Sequence, residues 1–362
     1  MKLRVVDLSR VLAGPLCSMI LADLGADVIK VERPGSGDET RGWGPPFDPA
    51  GQSAYFLSVN RNKKSIAADL ATQSDRDTVL DLIGEADVVL ENFLPGALRK
   101  LGVDADEQLR KNPKLVWCTI SGFGPESPRP GYDFVIQAES GWMSITGDAS
   151  GPPMKVGVAL ADVIAGKDAA IAILGAIAER NAGALDESRR RIVISLEASS
   201  IAALVNVAQN VLVSGEDAKR WGNAHPNLVP YQLFDAADRA FVIAVGSDAQ
   251  WRECAKALGL VTLASDSSLA TNAGRVANRE RVVTAIEQRT RGKSAHDWID
   301  RLTAANVPCG MVRTVKEALT GTEADALTGV PPSVPGTVRM PPPRLDEHGD
   351  SIRKLGWRAF NP

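Results

Sequence analysis

The chain has 362 residues, 44% hydrophobic and 23% charged, with a formal charge of −3. That is ordinary globular composition, with length for two domains or one large one. It excludes a strongly basic nucleic-acid-binding protein and a polybasic membrane-surface protein. The three histidines (His225, His296, His348) and four cysteines (Cys17, Cys118, Cys254, Cys309) lie far apart with no CxxC pair, so neither a histidine-rich metal site nor a disulfide framework is expected. Reduced thiols and a cytoplasmic location fit best. The opening MKLRVVDLSRVLAGP has no long apolar core, and no stretch approaches the ~18 apolar residues that span a bilayer. The nearest, residues 164–178, is interrupted by Lys167 and Asp168 and reads as a core helix.

Residues 3–8 (LRVVDL) read as a strand, and Pro15 starts a helix over 16–24. Gly25 ends that helix, and 27–31 (DVIKV) form a second strand, giving the strand–helix–strand unit of a parallel sheet. Strands at 65–70, 87–91 and 115–121 alternate with helices at 75–85 and 96–101, as in a doubly wound α/β domain. A helix over 162–180, a strand over 191–196 and one long apolar helix over 197–214 follow. From Trp221 the elements at 231–234, 241–245, 249–258 and 294–305 suggest a smaller α+β domain. After Val307 the chain turns Pro- and Gly-rich, like a tail wrapped over a surface or a partner. The expected division is a large domain over 1–200 completed by 306–362, a linker helix over 201–220 and a small domain over 221–305.

Glu32 follows the second strand where an acid would bind a dinucleotide ribose, but no G-x-G-x-x-G stands between the strands. A nicotinamide oxidoreductase is therefore disfavoured, and no P-loop, HExxH or GxSxG motif is present. The segment 30–43 (KVERPGSGDETRGW) reads either as a solvated loop or as a polyphosphate-contacting loop, with Arg33 or Arg41 as the positive fork. Residues 60–64 (NRNKK) add a basic cluster. Asp162 opens a long helix and reads either as an N-cap or as an oriented nucleophile.

Eight motifs in order then become familiar: VLAGP at 11–15, LGADVIKVERPGSGDETRGW at 24–43, NRNKKSI at 60–66, ADVVLENFLPGALRKLG at 86–102, ISGFG at 120–124, GYDFVIQAESG at 131–141, ADVIAG at 161–166 and GNAHPNLVPYQLF at 222–234. Through them the chain resembles, over nearly its whole length, the class III CoA-transferase family, which includes formyl-CoA transferase, carnitine CoA-transferase and α-methylacyl-CoA racemase. The resemblance implies a Rossmann-like large domain and a smaller α+β domain in an interlocked homodimer, closed by the Pro-rich tail. It implies coenzyme A or acyl-CoA as substrate with no permanently bound cofactor or metal, a small carboxylic acid as the second substrate, and neither nucleic acid nor membrane as partner.

By resemblance, Asp162 attacks an acyl-CoA thioester and carries CoA through covalent aspartyl intermediates. Leu12 occupies the glutamine position of the formyl-CoA branch, so backbone N–H groups such as that of Ala13 would serve the oxyanions. Tyr132 and Asp133 would border the reaction centre. Arg33 would approach the adenosine phosphates, and Ala68, Asp69, Leu70 and Ala71 would hold the adenine. Asn92, Phe93 and Leu94 would line the nucleotide path, and Lys100 would meet a phosphate. Core packing is the alternative reading for Phe93 and Tyr132. The racemase branch carries a histidine where this chain has Tyr132, and an unperturbed tyrosine, pKa near ~10, is a poor base at neutral pH. Transferase is therefore favoured over racemase and over a non-catalytic CoA-binding protein.

Overall fold

The computed structural model describes residues 2–360. Two compact units divide the chain, one of Met1–Met143, Lys155–Asp217 and Thr322–Pro362, the other of Ser144–Met154 and Ala218–Gly321. The first is built on six parallel strands: β1 (Arg4–Asp7), β2 (Asp27–Glu32), β3 (Lys63–Ala67), β4 (Val88–Glu91), β5 (Val116–Ser121) and β6 (Arg191–Ser195). Their order is β3-β2-β1-β4-β5-β6. The direction of winding reverses between β1 and β4, and the loops leaving their carboxyl ends diverge there into a crevice.

The central strands are buried on both faces and are correspondingly apolar, VVLE in β4 being wholly buried. One face carries α1 (Ala13–Asp23) and α5 (Leu160–Asn181), the other α2 (Gln73–Gly84) and α3 (Ala105–Lys111), with α4 (Asp133–Glu139) between α3 and α5 in the chain. Helix α5 buries a stripe of small residues, Ala161, Ala165, Ala169 and Ala176 with Ile173 and Ile177, which lets it lie close against α1.

The carboxyl-terminal segment is part of this unit's core. Ile352, Trp357 and Ala359 are buried against α2 and the sheet, around the helix Gly349–Leu355. The segment also covers the edge of β3: His348 N–H donates to Ser65 O (3.1 Å), and Asp346 Oδ1 accepts from Ala67 N–H (2.8 Å). The basic cluster 60–64 proves to be the clamp that holds it. Asn60, Arg61, Asn62 and Lys63 are all buried. Arg61 pairs with buried Asp23 (2.7 Å) and donates to the carbonyls of Thr328 and Val330, while Asn62 Oδ1 accepts from Arg339 and Met340 N–H. Those side chains are neither solvated nor free for phosphate.

The second unit holds an antiparallel sheet of β7 (Tyr231–Asp235), β8 (Ala240–Ala244) and β9 (Cys309–Met311). Trp251, Trp298 and Phe241 fill its core. Its boundaries differ from the expected 221–305. Residues 144–154 join it because Arg220 donates to the carbonyls of Ser144, Asp148 and Gly151. Residues 306–321 join it because β9 pairs with β8, and Arg239 binds Glu317 (2.9 Å). The three-residue strand CGM is too short to stand out in sequence.

The single helix expected over 197–214 is two helices, α6 (Leu196–Ala202) and α7 (Val205–Ser214), bent by 70°. Val205, at φ +44°, makes the break.

Replacing Arg61 with alanine leaves the Asp23 carboxylate buried without its charge partner. The expected cost is about 3 kcal/mol in denaturant unfolding, with loss of hydrogen-exchange protection over 328–340. A loss below ~1 kcal/mol with that segment still protected counts against the clamp.

Candidate functional site

Residues 8–12 form the loop from β1 into α1, and buried charges pin the chain on both sides of it, at Ser9 and Pro15. Lys30 on β2 donates to Ser9 O (2.9 Å) and Asp38 (2.9 Å). Lys63 on β3 donates to Pro15 O (2.9 Å), Asp7 (3.1 Å) and Asn60 (2.8 Å). All four charged side chains are fully buried. Burial alone would push the Asp7 carboxyl up, but Lys63, Lys30 and the Ser18 and Ser9 hydroxyls outweigh it and bring the pKa down to about 2. The network is therefore ionised at neutral pH.

Between the pinned ends, Val11 adopts φ +70°, a strained conformation for a β-branched residue. Asp38 holds it there by accepting the Val11 N–H at 3.2 Å and 3.3 Å. Asn92, at the end of β4, brackets the preceding peptide: its Oδ1 accepts from Arg10 N–H (2.9 Å) and its Nδ2 donates to Arg10 O (2.7 Å). Gly14 closes the loop, since a Cβ there would lie 2.2 Å from Ser9 Oγ. Leu12 and Ala13 are thereby fixed at the start of α1.

Helix α5 delivers Asp162 to this loop. Four residues on, one turn along the same face, a Cβ on Gly166 would stand 2.6 Å from Ala13 O, so only glycine admits this approach. The helix begins at Leu160, which puts Asp162 inside the first turn and not at the N-cap. The capping role belongs to Asp133, whose Oδ1 accepts from Ala161 N–H (2.9 Å) while Gln137 Nε2 binds its other oxygen (2.8 Å). Gln137 also accepts from Val156 N–H (2.8 Å), so one turn of α4 holds the approach to α5. Burial raises the Asp162 carboxyl, and the nearby Asp133 charge raises it further, to about 7 against the counter-effect of a hydrogen bond from the Ala13 backbone. A carboxylate tuned to neutral pH at the crevice of a doubly wound sheet has the character of a reactive group.

Asp162 lies in a cleft of about 260 Å³ with Leu12, Ala13, Asn92, Phe93, Leu94 and Tyr132. Tyr132 is 60% exposed, which sets aside core packing for it. A second cleft of about 200 Å³ gathers Arg33, Ala68, Asp69, Leu70 and Phe93. Three expected residues, Asp133, Ala71 and Lys100, fall elsewhere, and Asn92 lines the cleft with its amide already engaged. Asp133 does not line the cleft, because its carboxylate is spent on Ala161 and Gln137. The Asn92 amide is spent on the Arg10 backbone. Ala71 and Lys100 are exposed and line neither cleft. Arg41 is bidentate to Glu32 (2.7 Å and 2.7 Å), which leaves Arg33 as the open guanidinium of that loop and uses the acid that a ribose would need.

Sequence reasoning missed Tyr55, Arg10 and Gly166. Burial, then the charges of Asp162, Asp133 and Asp38, push the Tyr55 phenol up to about 12, so it remains a hydrogen-bond donor at neutral pH. Arg10 lines both clefts. A glycine one turn after the helix-opening aspartate was the available signal for Gly166.

Gly166→Ala forces α5 off the Ala13 carbonyl. The expected cost is about 1–3 kcal/mol in stability, with a fall in kcat larger than any change in KM. An unchanged kcat would refute the role given to this contact.

The profile of CoA-transferase family III matches residues 2–348. The succinate–glutarate CoA-transferase of Agrobacterium fabrum is 41% identical over 332 residues, 90% of this chain and 82% of that one. The succinyl-CoA:glutarate CoA-transferase of Mus musculus is 39% identical over 377 residues, 97% of this chain and 85% of that one. Among solved structures, a CaiB/BaiF family protein from Brucella suis superimposes with a TM-score of 0.84 at 40% identity, covering 98% of this chain and 97% of that one. With the doubly wound sheet, the crevice and its tuned carboxylate, these matches make the protein a member of CoA-transferase family III, an enzyme that moves coenzyme A between carboxylic acids.

Proposed function

We propose that Asp162 is the covalent relay of this transfer, with succinyl-CoA as donor and a dicarboxylic acid as acceptor. The observation that carries the proposal is the position of Asp162, in a cleft against the fixed Ala13 amide with its pKa near neutrality. Its carboxylate attacks the thioester carbonyl, forming a mixed anhydride and expelling CoA thiolate. The thiolate then attacks the Asp162 carbonyl, giving an aspartyl-CoA thioester and releasing the donor acid. The acceptor carboxylate attacks that thioester to form a second anhydride and free the thiolate again. Attack of the thiolate on the acceptor's acyl carbon yields the new acyl-CoA and restores the Asp162 carboxylate. One thioester replaces another, so the free-energy change is small.

The Ala13 N–H suits the steps at the Asp162 carbonyl. The donor that meets the resting carboxylate meets the oxyanion that develops there, without rearrangement. The intermediates require exclusion of water. The dicarboxylate part is supported by the names of the Agrobacterium and mouse relatives, whose two acids are both diacids. With succinyl-CoA as donor, diacids such as glutarate are expected to outrun monoacids. Monoacid rates far above those of every diacid would sink that part.

The nucleophile is the ionised form, so kcat/KM rises with pH through about 7 and then levels. Stability runs the other way. The folded pKa lies above the unfolded value of 3.8, so between these pH values the folded chain keeps a proton the unfolded chain has lost, and stability falls as pH rises. Asp162→Asn is therefore expected to raise Tm at about pH 8, less so near pH 5, while abolishing transfer. A flat pH–rate profile, or a Tm lowered at pH 8, contradicts the assignment.

The interlocked homodimer belongs to the same proposal. Helix α7 has no buried residue within the chain, and its Val205, Leu212 and Val213 are 69%, 77% and 77% exposed. An apolar face of that kind fits a second copy of the chain. Light scattering on the wild type is expected to give two chains, and Leu212→Asp with Val213→Asp to give one. A monomeric wild type would refute the dimer.

A further inference from the structure

The Asp162 cleft and the Arg33 cleft meet at two side chains, Arg10 and Phe93, which line both. Arg10 is held with unusual rigidity for an arginine. Its backbone is bracketed on both sides by Asn92, and its guanidinium lies 5.0 Å from the Phe93 ring centre. Its buried Nε has no hydrogen-bond partner among the described residues. Its NH1 meets Glu39 Oε1 (2.5 Å), and the same oxygen lies 3.9 Å from Arg33 NH2. One carboxylate oxygen thus sits between two guanidinium groups, at the seam that a CoA molecule crosses when its thioester is at Asp162 and its nucleotide lies beside Arg33.

Resting on the CoA-transfer reading above, we infer that Arg10 and Arg33 form the clamp for the diphosphate of CoA, and that Glu39 occupies the clamp as an internal anion until CoA displaces it. A planar guanidinium stacked on Phe93 and fixed at its backbone loses little freedom on binding phosphate. Glu39 keeps the two like charges from repelling in the empty site and competes with weakly anionic ligands. A diphosphate, with more charge and more acceptor oxygens than one carboxylate, wins that competition. Sequence reading placed Arg33, Arg41 or Lys100 at phosphate and not Arg10, because nothing in SRVLAGP marks Arg10 as different from a surface arginine.

The test is calorimetric titration of the intact protein with CoA, dephospho-CoA and pantetheine. The first two carry the diphosphate and the third does not. Arg10→Gln is expected to weaken CoA and dephospho-CoA alike by roughly 10- to 100-fold and to leave pantetheine unchanged. Arg10→Lys, which keeps the charge but not the fork, falls between and guards against a folding artefact. Glu39→Gln removes the internal competitor and is expected to tighten both diphosphate ligands. Wild-type binding with no loss in Arg10→Gln, or an equal loss for pantetheine, overturns the clamp while the transferase reading stands. Glu39→Gln that weakens CoA overturns the role given to Glu39. A wild type that binds none of the three ligands overturns the CoA reading and the clamp with it.

Discussion

Two buried ammonium groups hold the loop after β1 by its ends. Lys30 reaches Ser9 O and Lys63 reaches Pro15 O, each also satisfied by a buried aspartate, and neither charge is exposed. Buried ion pairs of this kind add little to net stability, because desolvation consumes most of the attraction, but they are costly to break and so specify one arrangement. Here that arrangement is the stretch from Ser9 to Pro15, with a strained valine at position 11. The carbonyl of Ala13 then offers Gly166 a surface to pack on, and the amide of Ala13 faces Asp162. The placement of Asp162 traces back through one glycine contact to two lysines on neighbouring strands.

That dependence also explains why Asp162 is tuned. Under the proposed covalent role, a solvated aspartate would be ionised but poorly placed and surrounded by water able to hydrolyse acyl intermediates. Drawing it into the cleft beside Asp133 raises its pKa to about 7, which leaves a usable ionised fraction at neutral pH and a more basic carboxylate. Asp133 serves twice, capping α5 through Ala161 N–H and biasing its neighbour electrostatically.

The doubly wound sheet was legible because its strands are short apolar runs between helical segments with clear stops, as in DVVLE and LVWCTIS. Its crevice, where the loops after β1 and β4 diverge, follows from the strand order. What escaped were features set by tertiary contact. NRNKK reads as a basic surface, yet its side chains are buried on Asp23, Asp7 and the carboxyl-terminal segment. The break before α7 lies in a run of good helix formers and shows only in the backbone of Val205. At the site, Asp162, Leu12, Ala13 and Tyr132 come together in one cleft and Arg33, Ala68, Asp69 and Leu70 in another. Asp133 and Asn92 stand in the right motifs but act on backbone, a distinction that spacing alone does not carry.

The most direct test of the account is to incubate the protein with succinyl-CoA, quench it in acid and map adducts by mass spectrometry beside Asp162→Ala. A succinyl or CoA adduct on the Asp162 peptide, absent from the variant, is the predicted result. CoA binding without any adduct on that peptide, under conditions in which transfer proceeds, would contradict a covalent role for Asp162.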